Sequence, residues 1–402
     1  MRHVLAASIA AVLCGLMSLQ PALAQKQYGP GVSDSQILIG QTQPYSGPAS
    51  TYSTIGKASA AYFAMVNAKG GINGRKIKFL SWDDGYNPAK TVEQTRKLVE
   101  EEHVLLIFDS VGTPTSLAVQ KYLNQKGVPQ LFVGSGATRW ADPKHFPWTL
   151  GWQPAYRTEG RVYGHYVLKT KPHARIAALY QDDDYGHDYL NGMRDVLGAR
   201  ADKMFVAMQT YAPTDPTVAS QMVFLAASHA DVFLDISQPR ITAMAIRKAY
   251  QLGWHPLHIV NSVSTSVDQV LRPAGLEASK GLVAAIYLKD PTDPAWKGDA
   301  GLVAYLAFMK KYDPAGDPDD GLNVYGYSVA QTLVRVLRQC GDDLTRANVM
   351  KEATHLDFQL PMLLPGVKIE TSPTDYRVIK DMQLGRFNGK KWVRFGGIVS
   401  GD

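Results

Sequence analysis

The sequence predicts an α/β protein of two lobes that face each other across a cleft. Three observations carry that reading. The chain has 402 residues, more than one hydrophobic core usually holds, so two domains are expected. Short apolar strands alternate with helical segments over residues 36–138, and the same alternation restarts at residue 175. A further set of helices and a β-rich tail then follow, so the chain must cross between lobes several times.

The composition is 45% apolar and 19% charged, which is ordinary for a folded globular chain. The formal charge is +6, carried by Lys and Arg in runs no longer than two. That scatter argues against a nucleic-acid surface. Residues 1–24 combine a basic start, an apolar core and Ala22-Leu23-Ala24, the pattern of an export signal cleaved after Ala24. No later run reaches the 18 or so apolar residues that a membrane span requires. Cys14 follows Val12-Leu13 rather than the small residues of a lipoprotein box. The mature chain then keeps Cys340 alone, on an expected helix, so no internal disulfide is expected and buried apolar packing is its role.

Taken in order, residues 36–42 (QILIGQT) read as a strand that runs into the turn cluster Pro44-Tyr45-Ser46-Gly47-Pro48. A helix over 54–69 ends at Gly70-Gly71, and Asn73-Gly74 turns the chain into a strand over 76–82. Asn87-Pro88 opens a helix to 102. Residues 105–117 read as a buried strand that breaks into a glycine-containing turn at Gly112 and starts a helix, with Thr113 at its N-cap and Pro114 at the first helical position. Residues 128–133 form a strand ending in Gly134-Ser135-Gly136-Ala137-Thr138, and residues 150–156 read as a crossover.

The second lobe alternates strands at 175–180, 204–209, 231–236 and 257–260 with helices at 186–197, 217–228 and 241–252. A strand at 282–286 and helices near 302–312, 323–339 and 344–354 follow. The tail holds strands at 367–369, 382–387 and 392–395, with a hairpin turn at Asn388-Gly389.

In open parallel sheets a ligand sits outside the carboxyl ends of the strands. The segments expected there carry hydroxyls, glycines and tyrosines but few charges, which suits reversible binding of a carboxylate with an apolar body. The turn at Ser110, Gly112 and Thr113 is the expected carboxylate grip, because exposed helix N–H groups hold an anion without a charged side chain.

Enzymatic patterns fail on specifics. Gly134-Ser135-Gly136 lacks the third glycine of a dinucleotide fingerprint. Gly326-Tyr327-Ser328-Val329-Ala330 falls inside an expected helix, not on a nucleophile elbow. Asp182-Asp183-Asp184 lacks calcium-loop spacing, and His145, His165, His173 and His187 lack paired ligand spacing. No catalytic residue, metal or cofactor is expected.

The chain resembles the periplasmic solute-binding proteins of ABC importers, of the branched-chain amino-acid-binding (Leu/Ile/Val) type. The resemblance covers essentially the whole mature chain. It rests on Ser46-Gly47-Pro48, the run NAKGGINGR at 67–75, Trp82-Asp83-Asp84 with Asn87-Pro88, Gly136-Ala137-Thr138 and Tyr185-Gly186. It implies a type I periplasmic binding protein: two Rossmann-like lobes joined by a hinge of three crossings. The lobes are expected at 25–152 plus 282–365 and at 153–281 plus 366–402. It implies a periplasmic location, a small-molecule ligand and ABC permease subunits as partners.

By resemblance, Tyr52 packs on the ligand, Ser110, Gly112 and Thr113 receive a carboxylate, and Gly136, Ala137 and Thr138 hold carboxylate and ammonium. Tyr185 is the matching second-lobe tyrosine, and Ser237 stands near the place of another. The family's ammonium-binding glutamate is expected near Ser262, yet residues 261–266 contain no acid. A buried ammonium without a carboxylate is poorly compensated. An aromatic or apolar organic acid therefore fits better than an α-amino acid, unless Asp235 or Asp183 replaces the glutamate. The remaining alternatives are a binding protein for a hydrophobic amino acid or an amide, an exported hydrolase built around Ser328, and a ligand-sensing role.

Overall fold

The computed structural model of the chain describes residues 26–401. The export signal and its cleavage position at 1–24 lie outside the described residues.

The first sheet contains β1 (Gln36–Gln43), β2 (Lys76–Asp83), β3 (Leu106–Phe108), β4 (Gln130–Val133) and β5 (Thr149–Gly151). They pair in the order β2-β1-β3-β4-β5, all parallel. Parallel strands covered by helices on both faces must be apolar on both. Accordingly Ile37, Leu38 and Ile39 of β1, and all of β3, are buried. Helices α1 (Ser53–Ala68), α2 (Pro88–Glu100) and α3 (Thr113–Lys126) connect these strands. The start of α2 is set by Asn87, whose side chain accepts from the N–H groups of Ala89 and Lys90, with Pro88 at the first position.

The second lobe contains α4 (Tyr156–Thr170), β6 (Ile176–Gln181), α5 (Asp184–Leu197), β7 (Phe205–Tyr211), α6 (Ala219–Ala227), β8 (Val232–Ile236), α7 (Pro239–Gln251), β9 (Leu257–Val260) and β10 (Val283–Ile286). Helices α8 (Ala300–Tyr312), α9 (Gly321–Gln339) and α10 (Arg346–Ala353) follow. Then β11 (Asp381–Phe387) and β12 (Trp392–Ser400) complete the second sheet, in the order β12-β11-β10-β9-β8-β6-β7. Only β11 and β12 run antiparallel to their neighbours. Helix α9 packs back on the first lobe: Ser59 Oγ donates to Gly326 O at 3.2 Å, and the Tyr62 and Tyr327 rings meet edge-on at 5.2 Å.

Both sheets reverse their strand order once, between β1 and β3 and between β6 and β8. Ligand crevices form at such switch points. The chain crosses between lobes three times: after β5, after β10 and before β11. The later segments run side by side, with Lys289 N donating to Met362 O and Leu364 N to Tyr287 O.

The structure shifts some expected boundaries. Val283–Ile286 pairs with β9 and β11, so the return to the first lobe begins after residue 286 rather than at 282. Nothing local marks which sheet a four-residue apolar strand joins. Residue 366 is likewise too early for the last crossing, because Tyr376 still donates to Pro147 O of the first lobe. The crossover at 150–156 is shorter than expected, since Thr149–Gly151 is an edge strand and Tyr156 starts α4. Sequence reading missed α4 itself: Gly160 and Gly164 interrupt its apolar pattern, and both face the neighbouring α5 closely.

Candidate functional site

The loops after β1, β2, β3, β4, β6, β8 and β9, the start of α4 and the second crossing line a cleft between the lobes. On the first lobe its wall includes Tyr52, Tyr86, Val111, Gly112, Thr113 and Gly134. The second lobe contributes Tyr185, Gln238, Ser262, Val263 and Val267, and the hinge side contributes Gln153, Tyr156, Tyr287 and Tyr325. Lys289, Asp290, Asp319 and Trp392 also line it.

Five of the ten expected site residues therefore line the cleft: Tyr52, Gly112, Thr113, Tyr185 and Ser262. Gly112, not Thr113, is the N-cap of α3, with φ +111°, and no side chain caps this terminus. A Cβ at Gly112 would stand 2.5 Å from both Thr115 Oγ1 and the Tyr86 ring, so only glycine fits. The Thr113 hydroxyl bonds Ser135 Oγ at 2.7 Å, and Trp140 Nε1 donates to the same oxygen at 2.9 Å.

The other five do not line the cleft. Ser110 is buried below it, its Oγ accepting from Thr42 N at 3.2 Å and Thr42 Oγ1 at 3.0 Å. Gly136 lets the chain pass under Tyr156, whose ring a Cβ there would strike at 2.7 Å. Ala137 faces a small hollow beside Trp140 and Tyr376. Thr138 sits on the rim, its N–H donating to Asp188 of the second lobe at 2.6 Å. Ser237 is fully buried and bonds the Asp235 carboxyl and Thr242 Oγ1, leaving its neighbour Gln238 at the wall. In each case a strand-end motif reveals the loop but not which of its residues turns inward.

The cleft is rich in tyrosine. Tyr156 meets Tyr185 edge-on at 5.0 Å and stacks on Tyr189 at 4.9 Å, while Trp152 meets Tyr325 edge-on at 4.9 Å. Burial pushes the hydroxyls of Tyr52, Tyr86, Tyr156, Tyr185 and Tyr325 up, so all are neutral at ordinary pH. The Tyr185 and Tyr325 hydroxyls are buried without a hydrogen-bond partner. Sequence reading missed Tyr86, Tyr156, Tyr287 and Tyr325. Tyr156 lay in a recognised crossover, but the others carry no local signal.

The acid absent from 261–266 has a counterpart from elsewhere. Glu159 of α4 lies fully buried beneath that turn. One carboxyl oxygen accepts from Ser262 N at 2.7 Å and Tyr163 OH at 2.5 Å; the other accepts from Ser262 Oγ at 2.7 Å and Tyr189 OH at 2.8 Å. Burial raises its pKa, and these donors, Ser262 foremost, pull it back. With four bonds made, it presents no free oxygen to the cleft. Asp235 and Asp183 do not take its place: Asp235 is buried against Ser237 and His258, and Asp183 caps α5 through Tyr185 N at 3.0 Å. The carboxyls that line the cleft are Asp290 and Asp319. Asp290 Oδ1 accepts from Thr292 at 2.7 Å and 2.9 Å, whereas Oδ2 is buried without a partner.

Polar bridges join the lobes at the rim. Arg139 pairs with Asp184 at 2.9 Å beside the Thr138–Asp188 bond, and Ser266 Oγ donates to Asp320 at 3.0 Å. Among the described residues no cluster of His, Cys, Asp and Glu is arranged to hold a metal, and no helix is long and apolar enough to cross a membrane.

Two doubly wound lobes closing on an apolar, hydroxyl-lined cleft define a two-lobed ligand-binding protein. The family model described as periplasmic binding protein matches residues 36–391, and the chain belongs to that family. The family consists of substrate-binding proteins. The chain is 23% identical over 359 residues to a Leu/Ile/Val-binding protein homolog of Brucella abortus, covering 84% of this chain and 82% of that protein. It is 20% identical over 326 residues to an amino acid binding protein of Pseudomonas aeruginosa, covering 76% of this chain and 79% of that one. In fold it is similar to a branched-chain amino acid ABC transporter protein of Thermus thermophilus solved with bound valine (TM-score 0.82, 15% identity, 92% and 97% of the two chains). It is also similar to a fatty acid ABC transporter substrate-binding protein of Thermomonospora curvata (TM-score 0.75, 21% identity, 93% and 95%).

Proposed function

We propose that this protein is the periplasmic substrate-binding subunit of an ABC importer. It captures a small ligand bearing a carboxylate on an aromatic or apolar body and delivers it to permease subunits in the membrane. One observation supports the ligand class above the rest: the turn expected to receive an α-ammonium offers no free carboxylate, because Ser262 and two tyrosines occupy Glu159. Tyr52, Gly112, Thr113, Tyr185 and Ser262 form the ligand wall in this reading. The uncapped start of α3 receives the carboxylate, and the tyrosine rings cover the body. The relatives named for valine and for fatty acids share that chemistry, a carboxylate on an apolar body.

A second reading, a hydrophobic amino acid, is favoured by the unpartnered Oδ2 of Asp290, a cleft-lining residue, which can receive an ammonium. A thermal-shift panel of phenylacetate, benzoate, octanoate, leucine and valine separates the two. A ligand at a hundredfold its Kd stabilises by about 2.7 kcal/mol, a readily measured shift. Stabilisation by the acids alone supports the first reading; stabilisation by leucine or valine alone supports the second.

A further inference from the structure

Several tyrosines at or beside the cleft are wired into the protein. Tyr211 OH donates to Gln181 Oε1 at 3.1 Å and accepts from Gln238 N at 2.9 Å. Tyr163 and Tyr189 donate to Glu159 at 2.5 Å and 2.8 Å, and Tyr156 OH accepts from Gln153 Nε2 at 3.2 Å. Tyr185 and Tyr325 differ. They are 3% and 5% exposed, both line the cleft, and neither hydroxyl has a hydrogen-bond partner among the described residues. Both rings are held in place: Tyr185 lies edge-on to Tyr156 at 5.0 Å and to Tyr189 at 5.8 Å, and Tyr325 edge-on to Trp152 at 4.9 Å. Asp183 also fixes the Tyr185 main chain, accepting from its N–H at 3.0 Å. Turning either ring toward another protein partner would break this packing. An unpaired buried hydroxyl destabilises the fold, and a ligand that pairs it recovers that loss.

We propose, on the reading that this cleft takes a carboxylate ligand, that the ligand is a one-ring acid carrying a second oxygen function, a keto or hydroxyl group, which the Tyr185 and Tyr325 hydroxyls bond. A phenol both donates and accepts, so it serves either function. The size follows from the space. With the rim bridges made, the cleft keeps about 120 Å³ free. A buried apolar cavity of about 150 Å³ takes up benzene, so one ring fits where a long acyl chain does not. An acid of the same size without the second oxygen leaves both hydroxyls buried and unpaired. Sites built to bond a polar group of the ligand reject the analogue that lacks it for this reason.

The test is calorimetry on the full exported protein as wild type, Y185F and Y325F. The probes are two matched pairs, phenylpyruvate against 3-phenylpropanoate and 4-hydroxyphenylacetate against phenylacetate, with leucine beside them. In wild type the oxygenated member of at least one pair is expected to bind about tenfold or more tighter than its parent. Y185F and Y325F are each expected to reduce that preference about threefold or more, while the parent acid stays within about twofold of its wild-type affinity. A merely structural role would weaken both members of a pair alike. Without ligand, both variants are expected to melt at or above the wild-type temperature, because the hydroxyl removed has no partner to lose. Parent acids bound as tightly as their oxygenated partners, a preference that survives both substitutions, or a clear drop in the ligand-free melting temperature of both variants overturns this inference alone. Binding of leucine with none of the four acids, or of no probe at all, overturns the organic-acid reading of the preceding section and this inference with it.

Discussion

The backbone N–H and the hydroxyl of Ser262 both donate to the carboxyl of Glu159, at 2.7 Å each. The bonds tie a cleft-lining turn to α4, 103 residues away in sequence, and fill lone pairs that would otherwise face an ammonium. Glu159→Gln keeps the volume but turns an amide N–H toward two of those donors. The variant is expected to lose about 1–3 kcal/mol of unfolding free energy, read by urea denaturation, and to bind ligand more weakly. Unchanged stability means that the Glu159 bonds do not hold the turn.

Tyr52 closes the first-lobe side of the cleft from the turn that precedes α1. Tyr52→Ala is expected to weaken ligand binding about tenfold or more in calorimetry while the chain still folds cooperatively. Equal affinity places the ligand elsewhere.

The rim bond from Thr138 N to Asp188 comes from a backbone amide, so the partner to remove is the carboxyl. Asp188→Ala is expected to weaken ligand affinity about threefold to tenfold by disfavouring the closed form, with a larger radius of gyration of the unliganded protein in small-angle scattering. Thr138→Ala, which keeps the amide, is expected to have a smaller effect on both measurements.

Asp320 caps α9 and accepts from Ser266 of the other lobe, and burial raises its pKa to about 6. A folded-state pKa above the unfolded value means that the native state holds the proton more tightly. This group's contribution to stability is therefore full below about pH 4 and is lost as the pH climbs through about 6. Asp320→Asn keeps the cap and removes the titration. It is expected to be more stable than wild type at neutral pH by about 1–3 kcal/mol, with the difference closing toward pH 4 in denaturation curves. A difference that grows on acidification contradicts the assignment.

The strand–helix alternation and the cleft at the strand ends were legible because parallel strands buried on both faces need continuous apolar runs, as in Ile37–Ile39 and Leu106–Phe108. The turn at Gly112 was legible because a left-handed residue before a Thr-Pro helix start demands glycine. Sheet membership was not: Val283–Ile286 joins the second sheet between β9 and β11, the latter a partner about a hundred residues later. The same limit hid Glu159, Tyr86 and Tyr325. Each reaches the site from a distant element, and nothing beside it in sequence distinguishes it from core. Ser110, Gly136 and Ser237 sit in the right loops, but side-chain direction at a strand end depends on neighbours such as Thr42, Tyr156 and Thr242.

The most direct measurement is native mass spectrometry of freshly purified protein, followed by release and identification of whatever the closed cleft carries. The expected molecule has a carboxylate on an aromatic or aliphatic body and no α-amine. Recovery of leucine, valine or another α-amino acid as the bound species contradicts the reading that Glu159 is withheld from the ligand.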